Sequence, residues 1–234
     1  SDVYKRQPTA NETFGNAASV LVGDFLYSRS FQMMVDTNDM RVMQIPAEAT
    51  NVIAEGEVLQ LMNMHDATLS IDDYLQVIQS KTAKLFEASA RLGAVLCKAP
   101  THIEQACADY GQALGTAFQI VDDALDYDGQ AAELGKNLGD DLREGKITLP
   151  LILAMQRATA AQQQVIRDAI EHGGNSEQLA QILEIIHTTR ALEGCRTVAA
   201  EQAQRAIDAI QALEANQHVQ ALLQLAAQLL DRRS

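Results

Sequence analysis

The sequence predicts an all-α protein, on three observations. Apolar residues return every three or four positions along almost the whole 234-residue chain, the spacing of helices with one buried face. Alternating runs rich in Val, Ile and Thr, which mark strands, do not occur. Capping pairs and Gly-rich breaks punctuate the pattern where helices should start and stop.

Taken in order, the period predicts helices at Phe14–Val35, where small and apolar residues gather at Ala17–Val22, and at Ala47–Met64. Ser70 with Asp73 gives a weak start signal for a third helix at Ile71–Leu96, which carries an irregularity near Ser80. Thr101 with Glu104 forms a capping-box signal for the next, His102–Tyr127. Helices at Thr148–Ala158 and Ala161–His172 follow; Gly173-Gly174-Asn175 then stops one helix and starts the next, Glu177–Arg190. Leu192–Ala215 and Gln217–Asp231 complete the set. The last has an apolar stripe of Val219, Leu222, Leu223, Ala226 and Leu230. No linker, repeat or low-complexity block divides the chain, so one domain is expected.

Composition narrows the function. At 47% hydrophobic, a chain of this length buries roughly 70–75% of its unfolded surface, enough for a large core. A net charge of −13 opposes general nucleic-acid binding, because phosphates require concentrated Lys and Arg. An anionic ligand must therefore be met by locally placed cations or metal ions. Three cysteines without a C-x-x-C pair fit a reducing compartment. No signal-peptide core is present, and no run reaches the roughly 18–20 apolar residues of a membrane span. A cytoplasmic location is the expectation.

One segment departs from the helical rule. Asp128 to Gly145 contains Gly129, Gly135, Gly139 and Gly145 among acids and Lys136; loops of this length are either functional or solvated connectors. Just before it, Asp122, Asp123 and Asp126 form D-D-x-x-D, and the first and last share a helix face. Hard carboxylate oxygens in a partial set suit Mg²⁺, which keeps several waters and takes phosphate oxygens. The plain alternative is an exposed acidic helix end, made uncomfortable by the helix dipole. An EF-hand at Asp126-x-Asp128-Gly129 fails, since its Gly and bidentate Glu are misplaced. Gly115, Gln119, Asp122 and Asp126 lie near one stripe; Gly115 makes room for a neighbouring helix or for a ligand, the former favoured. Lys136, Asp140, Asp141 and Lys146 follow, the mixture a metal-bridged diphosphate would need, or else a charge-paired surface loop. The five histidines form no close pair.

These residues carry a family resemblance. The stretch Phe118 to Tyr127, followed by Gly135-Lys136-Asn137-Leu138-Gly139-Asp140-Asp141 and by Glu144 to Pro150, resembles the second aspartate-rich region of trans-isoprenyl diphosphate synthases. Gly56-Glu57-x-x-Gln60 and Lys81-Thr82 resemble two further motifs of that family, in the right order. Within the family the similarity is strongest to the bacterial octaprenyl branch that makes quinone side chains.

The resemblance implies an isoprenoid synthase-type helical bundle around a central cavity, a homodimer, and condensation of isopentenyl diphosphate with an allylic diphosphate such as farnesyl diphosphate. It implies that Asp122 ligates Mg²⁺ directly, that Asp123 and Asp126 hold metal-bound water, and that Asp140 supports the same cluster. Lys81, Lys136 and Lys146 would bind the allylic diphosphate, Thr82 and Gln119 would lie along the developing allylic cation, and Phe118 would neighbour the isopentenyl unit.

The same resemblance implies a first D-D-x-x-D and an Arg-Arg-Gly stretch upstream of Pro8. Residues 1–7 do not resemble that region and read as a foreign or misassembled terminus, leaving 8–234 as a partial polyprenyl synthase-like domain without its N-terminal helices. A chain so shortened is expected to be inactive alone. Ile147 stands where family members commonly carry Pro. The alternative reading is a non-catalytic helical partner in a heteromeric prenyl diphosphate synthase.

Overall fold

The protein is described here by a computed structural model covering residues 9–128, 138–173 and 176–230; residues 1–7 and Lys136 lie outside the described residues. Among the described residues there are helices and no strands. The helices are α1 (Ala10–Phe14), α2 (Asn16–Asp36), α3 (Met40–Met62), α4 (Ile71–Ile78), α5 (Lys84–Leu96), α6 (Thr101–Leu125) and α7 (Asp140–Arg143). They continue with α8 (Leu149–Arg157), α9 (Ala160–His172), α10 (Ser176–Thr188), α11 (Ala191–Ala209) and α12 (Gln217–Leu230). The all-α expectation holds.

The irregularity expected near Ser80 is a π-helical turn, Gln79–Ala83, which joins α4 to α5 without breaking the rod. Other boundaries move for identifiable reasons. Gly15, at φ 82°, divides α1 from α2 within the helix expected from Phe14. Helix α3 starts seven residues before the expected Ala47 and runs through Pro46. An interior Pro costs about 3 kcal/mol, but Asp39 caps the new start and Val42, Ile45 and Ala49 are buried against Ala88 and Val95 of α5.

Ser70 caps α4 as expected, its hydroxyl accepting from the Asp73 N–H at 3.1 Å. The capping box at Thr101 does not form. Pro100 takes the cap position, and Glu104 instead accepts from Arg41 at 2.6 and 2.7 Å and from Arg91 at 2.8 Å, because two guanidinium groups outcompete one backbone N–H. Thr159 and Gln162 make an unanticipated capping box on α9.

Helix α6 is the axis of the fold. Ala199, Ala203 and Ala206 of α11, at 1% exposure or less, let that helix lie close to it. On the opposite side, a Cβ on Gly115 would stand 2.7 Å from the Ala83 Cα, so Gly115 serves helix packing. The main core gathers Ile120 with Ile152, Ile166, Ile170, Ile182 and Ile186 from α8, α9 and α10. A second core joins Tyr110 and Leu114 to α12 through Val219 and Leu229. No helix among the described residues is long and apolar enough to cross a membrane.

Candidate active site

Four helical pieces, α3, α4, the π turn and α6, and one loop converge on a cavity of about 80 Å³ beside the C-terminal half of α6. Helix α6 presents Gln119 and Asp123, the π turn presents Lys81 and Thr82, α3 presents Gln60, and the chain after α7 presents Lys146 and Thr148. The approach of α3 to the π turn depends on Gly56, where a Cβ would stand 2.7 Å from the Lys81 backbone N. Lys81 consequently reaches Gln60 at 2.6 Å and Glu57 at 2.9 Å. The two short motifs, remote in sequence, meet in one contact.

On the other wall, the Thr82 hydroxyl donates to the Gln119 Oε1 at 3.0 Å, and the Gln119 Nε2 donates to Asp123 at 2.7 Å. The second Asp123 oxygen accepts from the buried Tyr74 hydroxyl at 2.7 Å. Asp126 faces the loop: its carboxylate accepts the backbone N–H groups of Asp140 and Asp141 at 3.3 and 3.2 Å, and its carbonyl accepts from the Gly139 N–H. Gly139, at φ 72°, turns the chain there as Gly tolerates. Lys146 pairs with Glu144 at 2.6 Å and Asp141 at 3.3 Å.

The acids share an excess of negative charge. Burial, with Asp141 nearby, pushes Asp123 up to about 7, and the same two causes push Asp126 up to about 6. Burial also raises Asp141, against the pull of Lys146. For Lys146, burial works to lower the value, but the bonds and charges of Glu144 and Asp141 outweigh it and raise it. Carboxylates that bind protons this readily are short of cations, and all-oxygen donors suit Mg²⁺. Among the described residues no three His, Cys, Asp or Glu side chains converge closely enough to hold a metal ion.

Of the residues singled out from sequence, Lys81, Thr82, Gln119, Asp123 and Lys146 come together around the cavity. Asp122 on α6 and Asp126 at its C-cap sit beside it without lining it, and Asp140 is exposed and paired with Arg143 at 2.9 Å. Phe118 points elsewhere: its ring packs on Phe86, centroids 5.5 Å apart, at the edge of the second core. Lys136 lies outside the described residues. Tyr74 was not anticipated as a site residue, and Asp141, read in the mixture a diphosphate would need, was not expected to be a metal ligand. A Tyr two helical turns before Lys81 was the available signal for the former.

Residues 1–187 match the polyprenyl synthetase family. The octaprenyl diphosphate synthase of Haemophilus influenzae is 48% identical over 232 residues, covering 99% of this chain and 70% of that protein. Its Escherichia coli counterpart is 50% identical over 226 residues, covering 97% and 70%. The chain belongs to the polyprenyl synthetase family. A solved structure of this family's kind, a polyprenyl synthase of Caulobacter crescentus complexed with calcium and isoprenyl diphosphate, superposes with a TM-score of 0.88 at 45% identity. The match covers 96% of this chain and 69% of that one. Polyprenyl synthetase membership agrees with the all-helical architecture and with the motifs that surround the cavity.

Proposed function

We propose that this chain is a trans-polyprenyl diphosphate synthase. It condenses isopentenyl diphosphate with an allylic diphosphate, such as farnesyl diphosphate, to a long-chain all-trans product, octaprenyl diphosphate for quinone side chains. The observation that supports this most is the meeting of Lys81 and Lys146 with Thr82, Gln119 and acidic groups around one cavity. The calcium and isoprenyl diphosphate in the Caulobacter crescentus structure support a cation-assisted diphosphate site.

Prenyl transfer breaks the allylic carbon–oxygen bond, forms a carbon–carbon bond to isopentenyl diphosphate and loses one proton to restore the alkene. Bound Mg²⁺ supplies neutralisation of the leaving diphosphate; Asp122, Asp123, Asp126 and Asp140 are the residues that would hold it. Lys81 and Lys146 bind the same diphosphate, with Lys136 as a third cation, and stabilise its growing charge more than the ground state. The oxygens of Thr82 and Gln119 face the carbon that becomes electron-poor. Leu69, Val77, Ile78 and Ile147 wall the cavity and keep nucleophilic water from the cation. The departing diphosphate is a sufficient base for the final proton.

A dimer through α2 belongs to the same reading. None of its 21 residues is buried, while Leu21, Phe25, Leu26 and Tyr27 are each at least 60% exposed. A helix so apolar is ordinarily covered, and obligate interfaces are the apolar kind. The working location is the cytoplasm.

Calorimetry with farnesyl diphosphate, with Mg²⁺ and with chelator, tests the site. Binding should require Mg²⁺, lose that requirement in Asp122→Ala and weaken in Lys81→Ala. Radiolabelled isopentenyl diphosphate then reports elongation. Equal binding with metal and chelator would overturn the assignment.

A further inference from the structure

We propose that Tyr74 is a positioning residue, whose hydroxyl, by holding Asp123, sets which end of the Gln119 amide faces the cavity. The inference rests on the prenyl-transfer reading and extends it to a residue outside the aspartate motifs. Four side chains form a ladder. The Tyr74 hydroxyl donates to one Asp123 oxygen at 2.7 Å, the other oxygen accepts from the Gln119 Nε2 at 2.7 Å, and the Gln119 Oε1 accepts from Thr82 at 3.0 Å.

The ladder has a direction, and only one member decides it. A hydroxyl donates or accepts, so Thr82 would satisfy either end of an amide. Both Asp123 oxygens act as acceptors here, one of them from the Gln119 Nε2, so Asp123 draws the Gln119 NH₂ toward itself and leaves the carbonyl oxygen with Thr82. Asp123 can do this only while its own plane is held. Tyr74 holds it, from a ring 2% exposed and locked among core residues of α4.

The chemical consequence lies in the dipole. With the carbonyl at Thr82, the negative end of the amide sits on the same wall as the Thr82 oxygen, where an allylic cation develops. A flipped amide would bring its positive NH₂ there. Preorganised dipoles act because they do not reorient during the reaction, so a group that prevents the flip contributes to the rate without touching substrate. The rod formed by α4 and the π turn is bonded to α6 at Tyr74, before the turn, and at Thr82, within the turn and next to Lys81.

The test has a structural and a kinetic arm. In the metal-free protein, the side-chain amide signals of Gln119, identified by their loss in Gln119→Ala, should exchange with solvent at least about tenfold faster in Tyr74→Phe, while α6 backbone amides keep their protection. With Mg²⁺ and both diphosphates, in the chain carrying a relative's N-terminal helices in place of residues 1–7, Tyr74→Phe should lower kcat about tenfold and leave both KM values within about threefold. Tyr74→Phe combined with Gln119→Ala should be no slower than Gln119→Ala alone. If Tyr74→Phe folds poorly, Asp123→Asn, which keeps the shape but can present a donor to Gln119, should speed the Gln119 amide exchange in the same way in the metal-free protein. An unchanged Gln119 signal or independent, multiplicative kinetic losses would overturn the proposal. A wild-type chain that makes no product even with a relative's N-terminal helices in place of residues 1–7 would refute the enzymatic reading, and the Gln119 signal would still decide whether Tyr74 positions it.

Discussion

Replacing Gly56 by Ala tests the contact that joins the two short motifs. The new Cβ would stand 2.7 Å from the Lys81 N, 2.9 Å from the Ser80 Cβ and 3.0 Å from the Ser80 carbonyl carbon, whereas ordinary contact begins at 3.4 Å. Two of these atoms are backbone, so α3 and the π turn must separate by several tenths of an ångström. Overpacking of this kind costs about 1–3 kcal/mol, and the better helix propensity of Ala returns about 1. The net loss of about 0–2 kcal/mol should lower the melting temperature by up to roughly 8 °C in a chain of this size. Gly93, exposed in the last turn of α5 with nothing within 4 Å, is the control: Gly93→Ala should raise it. The functional effect should exceed the thermal one, because Lys81 moves away from Gln60 and Glu57, and displacements near 1 Å can cost about a hundredfold in rate. Circular dichroism melts and steady-state kinetics on both variants decide the matter. A Gly56→Ala protein that is stabilised as Gly93→Ala is, with unchanged kinetics, would refute the close-contact argument.

Glu104 provides a pH signature. The bonds from Arg41 and Arg91 hold its carboxyl below the usual glutamate range, so its stabilisation is complete above that range and lost as pH falls through the lowered folded value. The melting-temperature gap between wild type and Glu104→Gln, present at neutral pH, should close progressively below about pH 4.3. Thiol labelling should follow exposure: Cys97 reacts first, Cys107 later, and buried Cys195, its thiol pushed up to about 12, only on unfolding. Sedimentation should report a dimer at micromolar concentration and a shift toward single chains in Phe25→Asp; a single-chain wild type would remove the α2 interface.

The legible parts of this molecule were those governed by local rules. Ser70 caps α4 because its oxygen needs only the next turn, and the disturbance near Ser80 broke the apolar period itself. The Pro46 passage was invisible, since burial of Val42 and Ile45 by a distant helix outweighs a local penalty. Glu104 left its expected cap for the same reason: its two arginines stand 63 and 13 residues away in the chain. Around the cavity, Lys81, Thr82, Gln119, Asp123 and Lys146 are neighbours, as their motifs suggested, but which way each side chain turns was not legible. Asp122 and Asp123 are adjacent in sequence, yet 123 turns inward to Tyr74 and Gln119 while 122 stays partly exposed. Phe118 shares Gln119's helix and faces a different core for the same reason, one residue being about 100° of helical rotation.

That rotation also explains why the site is built on a π turn. The rod from Ile71 to Leu96 must satisfy two partners. Its first half buries Tyr74, Val77 and Ile78, with Tyr74 bonded to Asp123; its second half buries Ala83, Ala88 and Val95 against α6 and α3. Removing one residue at Ser80 would restore a regular helix and turn everything beyond it by about 100° relative to the first half. Thr82 would then leave Gln119, or Tyr74 would leave Asp123, and in either case buried alanines of α5 would rotate out of the core. No regular helix keeps both sets of contacts. The extra residue resolves the phase conflict, and it does so where the widened turn sends Lys81 to Gln60 and Glu57 of α3 and Thr82 to Gln119 of α6. The irregularity that disturbed the sequence period is thus the device that lets one rod hold both walls of the cavity.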